Sequence, residues 1–144
     1  MKVVQINSVA NGSTGKIMLN IAETVRNQGG TVHTFSERKP NAHIPPNHNV
    51  FGSFAENLIH RGFSVITGIS GTGSYFGTKK LLRQLDKISP DIIHLHNLHG
   101  WYINIPMLFH YIRKKKIKTV WTLHDCWAFT AQCSHFTVEK CDKW

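Results

Sequence analysis

KVVQINSVANGSTGKIMLNIAETVRNQGGTVHTFS, residues 2–36, contains one complete structural unit, and its reading decides the fold. KVVQIN (2–7) is a short run rich in Val and Ile, which suits a strand. After the glycines of the next loop, Ile17, Met18, Ile21, Ala22 and Val25 recur at helical spacing until Gly29 and Gly30 stop the pattern. TVHTFS (31–36) then alternates as a second strand. Two strands joined through a helix run parallel, with a right-handed crossover, so the fold class is α/β.

The rest of the chain extends this plan. DIIHLH (91–96), a helix over 103–115 and KTVWTLH (118–124) form another strand–helix–strand unit. TKKLLRQLDKIS presents Leu81, Leu82, Leu85 and Ile88 on one face, with Thr78 as its N-cap and Pro90 as its stop. FAENLIHRGFSVI reads as a helix that turns Phe54, Leu58, Ile59 and Phe63 toward the core. Residues 37–53 hold three of the five prolines and read as a long loop with a short strand near Asn49 to Phe51. GISGTGSYFG (68–77) reads equally as a plain connector or a functional loop. Near-continuous apolar strands call for helices on both faces, giving a Rossmann-like parallel sheet.

A chain of 144 residues fits one domain, 1–144. No stretch reaches the ~18 apolar residues of a membrane span. MKVVQINS is too short and too polar for a signal peptide, so a cytoplasmic location is expected. The net charge of +9 favours anionic partners: nucleic acid, lipid headgroups or sugar nucleotides. No nucleic-acid recognition motif accompanies it, and no nucleic-acid partner is expected. Cys126, Cys133 and Cys141 are odd in number and crowded near the end, which speaks for reduced thiols over a disulfide framework. The chain stops at Trp144 inside a Cys- and aromatic-rich stretch, and a truncated domain is expected.

In an open parallel sheet, ligands bind outside the carboxyl ends of the strands, where the strand order reverses. Three strand ends carry polar groups: Asn7 and Ser8, His96 and Asn97, His124 and Asp125. The loop NGSTGK (11–16) opens a helix and is either an anion cradle or a tight turn capped by Ser13 or Thr14. A residue larger than Gly15 would intrude on the cradle and, at positive φ, would be strained. His94, His96 and His99 raise a metal site, but Leu98 stands where a His-x-His-x-Asp-His pattern needs its acid, and no metal is expected. His94 reads as a core histidine; His96 and His124 read as rim residues. RKKKIK (113–118) closes a helix as a solvated cationic end or as a peripheral membrane contact. Trp101, Tyr102, Trp121, Trp127 and Phe129 suit a core or a wall for sugar faces.

Together KVVQINS, GSTGKI, PDIIHLHNLHGWYIN and TVWTLHDCWAFTAQC resemble the amino-terminal half of a family 4 retaining glycosyltransferase of GT-B architecture, of the bacterial surface-polysaccharide type. The resemblance implies an acceptor-side Rossmann-like domain, with a second domain, absent from this chain, that holds most of a nucleotide-sugar donor. It implies that Gly12, Ser13 and Gly15 face the donor diphosphate. His124 would contact the donor sugar near the reacting carbon, and Asp125 would orient its loop. His96, Asn97, His99 and Tyr102 would line the side of a glycan or lipid-linked acceptor. No cofactor is implied, and this chain alone would be inactive. Two rival readings remain. Glu37, just after the second strand, suits an NAD-type dinucleotide site, although the third glycine of that fingerprint is missing. A non-catalytic anion-binding module would also carry +9.

Overall fold

The computed structural model describes residues 1–38, 45–130, 138 and 140. In chain order the elements are β1 (Lys2–Ile6), α1 (Gly12–Asn27), β2 (Thr31–Ser36), β3 (His48–Val50), α2 (Phe54–Thr67), α3 (Tyr75–Ile88), β4 (Ile92–Leu95), α4 (Ile105–Lys115), β5 (Lys118–Trp121) and α5 (Trp127–Thr130). The strands form one parallel sheet in the order β3-β2-β1-β4-β5. The chain builds outward from β1 in one direction, then restarts at β4 on its other side. The order therefore reverses between β1 and β4, where Val3 pairs with Ile92 and Ile6 with Leu95.

Strand alternation sorts the core into two layers. Val3 and Val32 pack with Ala22 and Val25 of α1 on one face. Val4, Ile6, Ile93 and Leu95 pack on the other with Leu81 and Leu85 of α3 and Leu108 and Ile112 of α4. Each such aliphatic side chain contributes about 1.5–3 kcal/mol when fully buried. The layers bear out the Rossmann-like α/β reading, with α1 on one face of the sheet and α3 and α4 on the other.

Several local expectations change. Helix α1 begins at Gly12 with Asn11 as its N-cap, so neither Ser13 nor Thr14 caps it, and Ile17 faces outward. Helix α3 begins at Tyr75 with Ser74 as its N-cap, four residues before the expected cap at Thr78. Thr78 is buried inside its first turn, with its hydroxyl donating to the Ser74 carbonyl (2.8 Å) and accepting from Asn104 N–H (2.7 Å). Helix α4 starts at Ile105, capped by the Asn104 side chain, which accepts from Met107 N–H at 3.0 Å. Strand β5 ends at Trp121, short of residue 124, and is exposed along most of its length.

Helix α2 departs furthest. Glu56, Asn57, His60 and Ser64 face the protein and its apolar residues face outward. His60 and Ser64 are buried, whereas Phe54, Leu58, Ile59 and Phe63, expected in the core, are exposed. A polar seam fixes this orientation. Glu56 accepts from Phe76 N–H (2.6 Å) and Gly77 N–H (2.9 Å), placing a carboxylate at the positive end of α3. Asn57 donates to Glu37 (2.7 Å), and His60 bridges Ser74 Oγ (2.9 Å) and Gly73 N–H (3.1 Å). Cys126 is a half-buried free thiol; Cys133 and Cys141 lie outside the described residues.

Candidate functional site

The ends of β1 and β4 are joined by one side chain. Asn7, fully buried, uses Oδ1 to accept from Ser8 N–H (3.0 Å) and Asn97 N–H (3.2 Å), and its amide donates to Thr14 Oγ1 at 3.4 Å. It therefore ties the first turn of α1 to the segment after β4. A strand-end Asn satisfies these loop N–H groups where no neighbouring strand continues to do so. Trp121 Nε1–H donates to the His96 carbonyl at 2.9 Å and brings β5 into the same rim.

Behind this rim stands a row of imidazoles. His94 and His96 share a sheet face through strand alternation, and their rings stack at 4.3 Å between centroids; His124 stacks on His96 at 5.3 Å. His96 is 1% exposed, a correction to its expected place at the rim. Burial, reinforced by the charges His94 and His124 would carry, pushes the His96 pKa down to about 3, so its ring is neutral. His94, half-buried and within 2.8 Å of Thr122 Oγ1, is also pushed down, chiefly by burial.

The neutral His96 ring has one N–H, and Gln5 decides its position. The Gln5 amide satisfies all its neighbours in one orientation. Its Nε2 donates to the Met18 carbonyl (2.9 Å) and to His96 Nε2 (3.1 Å), while its oxygen accepts from Ala22 N–H (3.2 Å). His96 Nε2 is then an acceptor, so the proton sits on Nδ1 and is donated to His124 Nε2 at 3.0 Å. A neutral His124 consequently carries its own proton on Nδ1. The line from α1 backbone through Gln5 and His96 thus sets the tautomer of the outermost imidazole.

His99 Nε2 lies 2.8 Å from Asp125 Oδ2, and Asp125 Oδ1 accepts from Trp127 N–H at 3.0 Å. This pair links the segment after β4 to the turn after β5. The space among His96, His99, His124 and Asp125 is only about 10 Å³. Beside it, sharing Leu98, His99 and Trp127, opens a cleft of about 240 Å³ that Gly71, Gly100 and Trp101 also line. Tyr102 is wholly buried, and its hydroxyl donates to the Asn97 carbonyl at 2.6 Å. It supports the 97–104 segment from beneath and offers no surface to the cleft.

The loop into α1 has a different chemistry. Asn11, Gly12 and Ser13 are exposed, the helix has no acid in its first turn, and no side chain caps it. Its leading N–H groups and the positive end of a 16-residue helix therefore face outward, an arrangement that suits an anion. Gly12 is the residue at positive φ (+69°). Gly15 is not, which corrects the expectation of strain there. Gly15 is required by proximity: a Cβ would stand 2.5 Å from the Ala10 carbonyl carbon.

Among the described residues no three His, Cys, Asp or Glu side chains group as a metal-binding set. Both His96 nitrogens are engaged in hydrogen bonds, so the His-x-His pair does not present two open ligands. Of the residues singled out from sequence, His96, Asn97, His99, His124 and Asp125 come together around the ends of β4 and β5. Gly12, Ser13 and Gly15 lie across Asn7 at the start of α1, and Tyr102 lies beneath. Sequence reading placed Asn7 at the rim but missed Gln5 as a site residue; an amide in an otherwise apolar strand was the available signal.

A family model described as Glycosyltransferase Family 4 matches residues 14–143. The match includes every residue named above from Thr14 to Asp125 and leaves Gln5, Asn7, Gly12 and Ser13 before its start. A search of curated proteins found no match.

Proposed function

The chain belongs to glycosyltransferase family 4, and from that premise we propose that it forms the acceptor-side domain of a retaining enzyme. That enzyme moves a sugar from a nucleotide donor to a glycan or lipid-linked acceptor in surface-polysaccharide synthesis. A second domain carries most of the nucleotide contacts. The observation that carries this reading is the paired arrangement at the strand-order reversal. An uncapped helix start suited to a diphosphate stands across Asn7 from the His96–His124 pair, whose outer imidazole is oriented next to the cleft that His99 lines.

In this reading the N–H groups of Gly12 and Ser13 and the α1 dipole stabilise negative charge on the departing diphosphate, while Gly15 lets the first turn of α1 sit against Ala10 and faces the diphosphate from there. His124 presents Nδ1–H to a donor-sugar hydroxyl beside the reacting carbon. Asp125 holds the His124 turn and His99 in place. His96 and Tyr102 are positioning residues, whereas His99 meets the acceptor in the 240 Å³ cleft and Asn97 lines the small space beside it. The leaving diphosphate accepts the acceptor proton as the new bond forms on the same face, so no protein nucleophile, metal ion or other cofactor is needed. The protein acts from the cytoplasmic side, with peripheral membrane contact.

Replacing His124 by Ala in the full-length protein tests the assignment. Turnover should fall by about 100-fold, the scale of losing one well-placed polar group at the transition state, with little change in melting temperature. Turnover near the parent value would make His124 structural.

A further inference from the structure

We propose that α2 and the first turns of α3 form a docking surface for an anionic lipid bilayer, with α2 lying in the plane of the membrane interface. This deepens the peripheral contact proposed above and moves it away from the basic run at 113–118. It does not depend on where the donor binds.

The inverted amphipathicity of α2 is the first observation. Ile59 (72%), Val65 (73%) and Ile66 (86%) are largely exposed, with Phe54, Leu58, Phe63 and Ile69 beside them and Phe76 (75%) at the start of α3. Between the two helices runs a groove of about 690 Å³, bordered by Ile59, Phe63, Tyr75 and Phe76. Scattered apolar side chains on a surface are ordinary; a contiguous patch of this kind marks an interaction site. No helix among the described residues is long and apolar enough to cross a membrane. A 14-residue helix with one apolar face suits lying on a bilayer.

Charge selects the occupant. The one acid of α2, Glu56, has both oxygens taken by the N–H groups of Phe76 and Gly77, and Asp86 of α3 is paired with Lys115 at 2.7 Å. Arg61, Lys79, Lys80 and Arg83 are exposed, and none belongs to an ion pair among the described residues. Lys80 and Arg83 follow Phe76 at helical spacing, so cations and apolar groups share one side of α3. Lys79 lies 5.7 Å from the Tyr75 ring centre, and Arg61 lies 5.3 Å from that of Trp101. Apolar side chains fringed by aromatic rings and unpaired cations match acyl chains beneath anionic headgroups. A second copy of the same face would instead oppose cation to cation.

The test is flotation of the full chain with vesicles of phosphatidylcholine alone or mixed with phosphatidylglycerol. Three variants accompany it: Ile59→Ser with Ile66→Ser, Lys79→Gln with Lys80→Gln, and Arg113→Gln with Lys114→Gln. The mixed vesicles should bind more strongly than the neutral ones. The isoleucine pair should lose about tenfold or more of that binding with an unchanged melting temperature, since both side chains are exposed. The Lys79/Lys80 pair should weaken it by several fold, and the 113/114 pair should leave it within about twofold. The proposal is overturned if neither vesicle binds, or if only the 113/114 pair removes binding. It is equally overturned if light scattering without lipid shows a dimer that the isoleucine pair dissolves.

Discussion

The position of one proton on His96 determines what His124 can offer. Gln5 holds that proton on Nδ1, and a carboxylate in its place would accept from His96 Nε2 and draw the proton there. Gln5→Glu should therefore switch the His96 nitrogen-15 signature from Nδ1–H to Nε2–H. It should lower turnover by about 10-fold or more while leaving donor affinity near the parent value. An unchanged signature would mean that Gln5 does not set the tautomer. Buried neutral histidines also give stability a pH dependence of known sign. His96 titrates near pH 3 in the fold and near 6.5 unfolded, so between these values the unfolded chain binds more protons. His48, His60 and His94 are displaced the same way, mainly by burial. Stability should be full above pH ~6.5 and fall as pH drops toward 3, by up to about 1.4 kcal/mol per pH unit for His96, with the other three adding in the same direction. Melting temperatures measured from pH 7.5 to 4 should decline, and His96→Gln should flatten the decline.

The starts of α1, α3 and α4 are held by different devices, and the devices separate by mutation. Glu56 serves α3 from another helix, so Glu56→Gln should cost about 1–3 kcal/mol by removing a charged acceptor from two N–H groups. Gly15→Ala should cost a similar amount, because the 2.5 Å approach to the Ala10 carbonyl carbon leaves the first turn of α1 no room for a methyl group. Denaturant midpoints check both, and a neutral Gly15→Ala would show that the loop yields. The parallel strands, α1 and the core faces of α3 and α4 were legible because apolar periodicity reports burial against a sheet. Helix α2 was misread because the same periodicity marks an apolar face without saying which side of the helix meets the protein. Its orientation comes from Glu56, Asn57 and His60, whose partners at 37 and 73–77 are distant in sequence. Thr78 looked like a cap because it precedes a leucine-rich face, yet Glu56 lets the helix start a turn earlier. The imidazole row was half legible. His-x-His places two rings on one face, but only the register of β4 with β5 brings His124 against them.

At the scale of the whole molecule, the sheet order β3-β2-β1-β4-β5 puts an anion-suited helix start and the His96–His124 pair, with the cleft beside it, on either side of one reversal. The net charge of +9 favours anionic ligands in general and selects no one site. Selectivity has to come from fixed N–H groups and from the Gln5–His96–His124 line. Titrating the isotope-labelled full-length protein with UDP and GDP, with NAD as the rival ligand, examines this directly. The account predicts saturable shifts of the Gly12, Ser13 and Gly15 backbone amides and of the His124 ring with a nucleoside diphosphate. It would be contradicted if those resonances stayed still with UDP and GDP while NAD moved them, or if every shift fell on the basic run at 113–118.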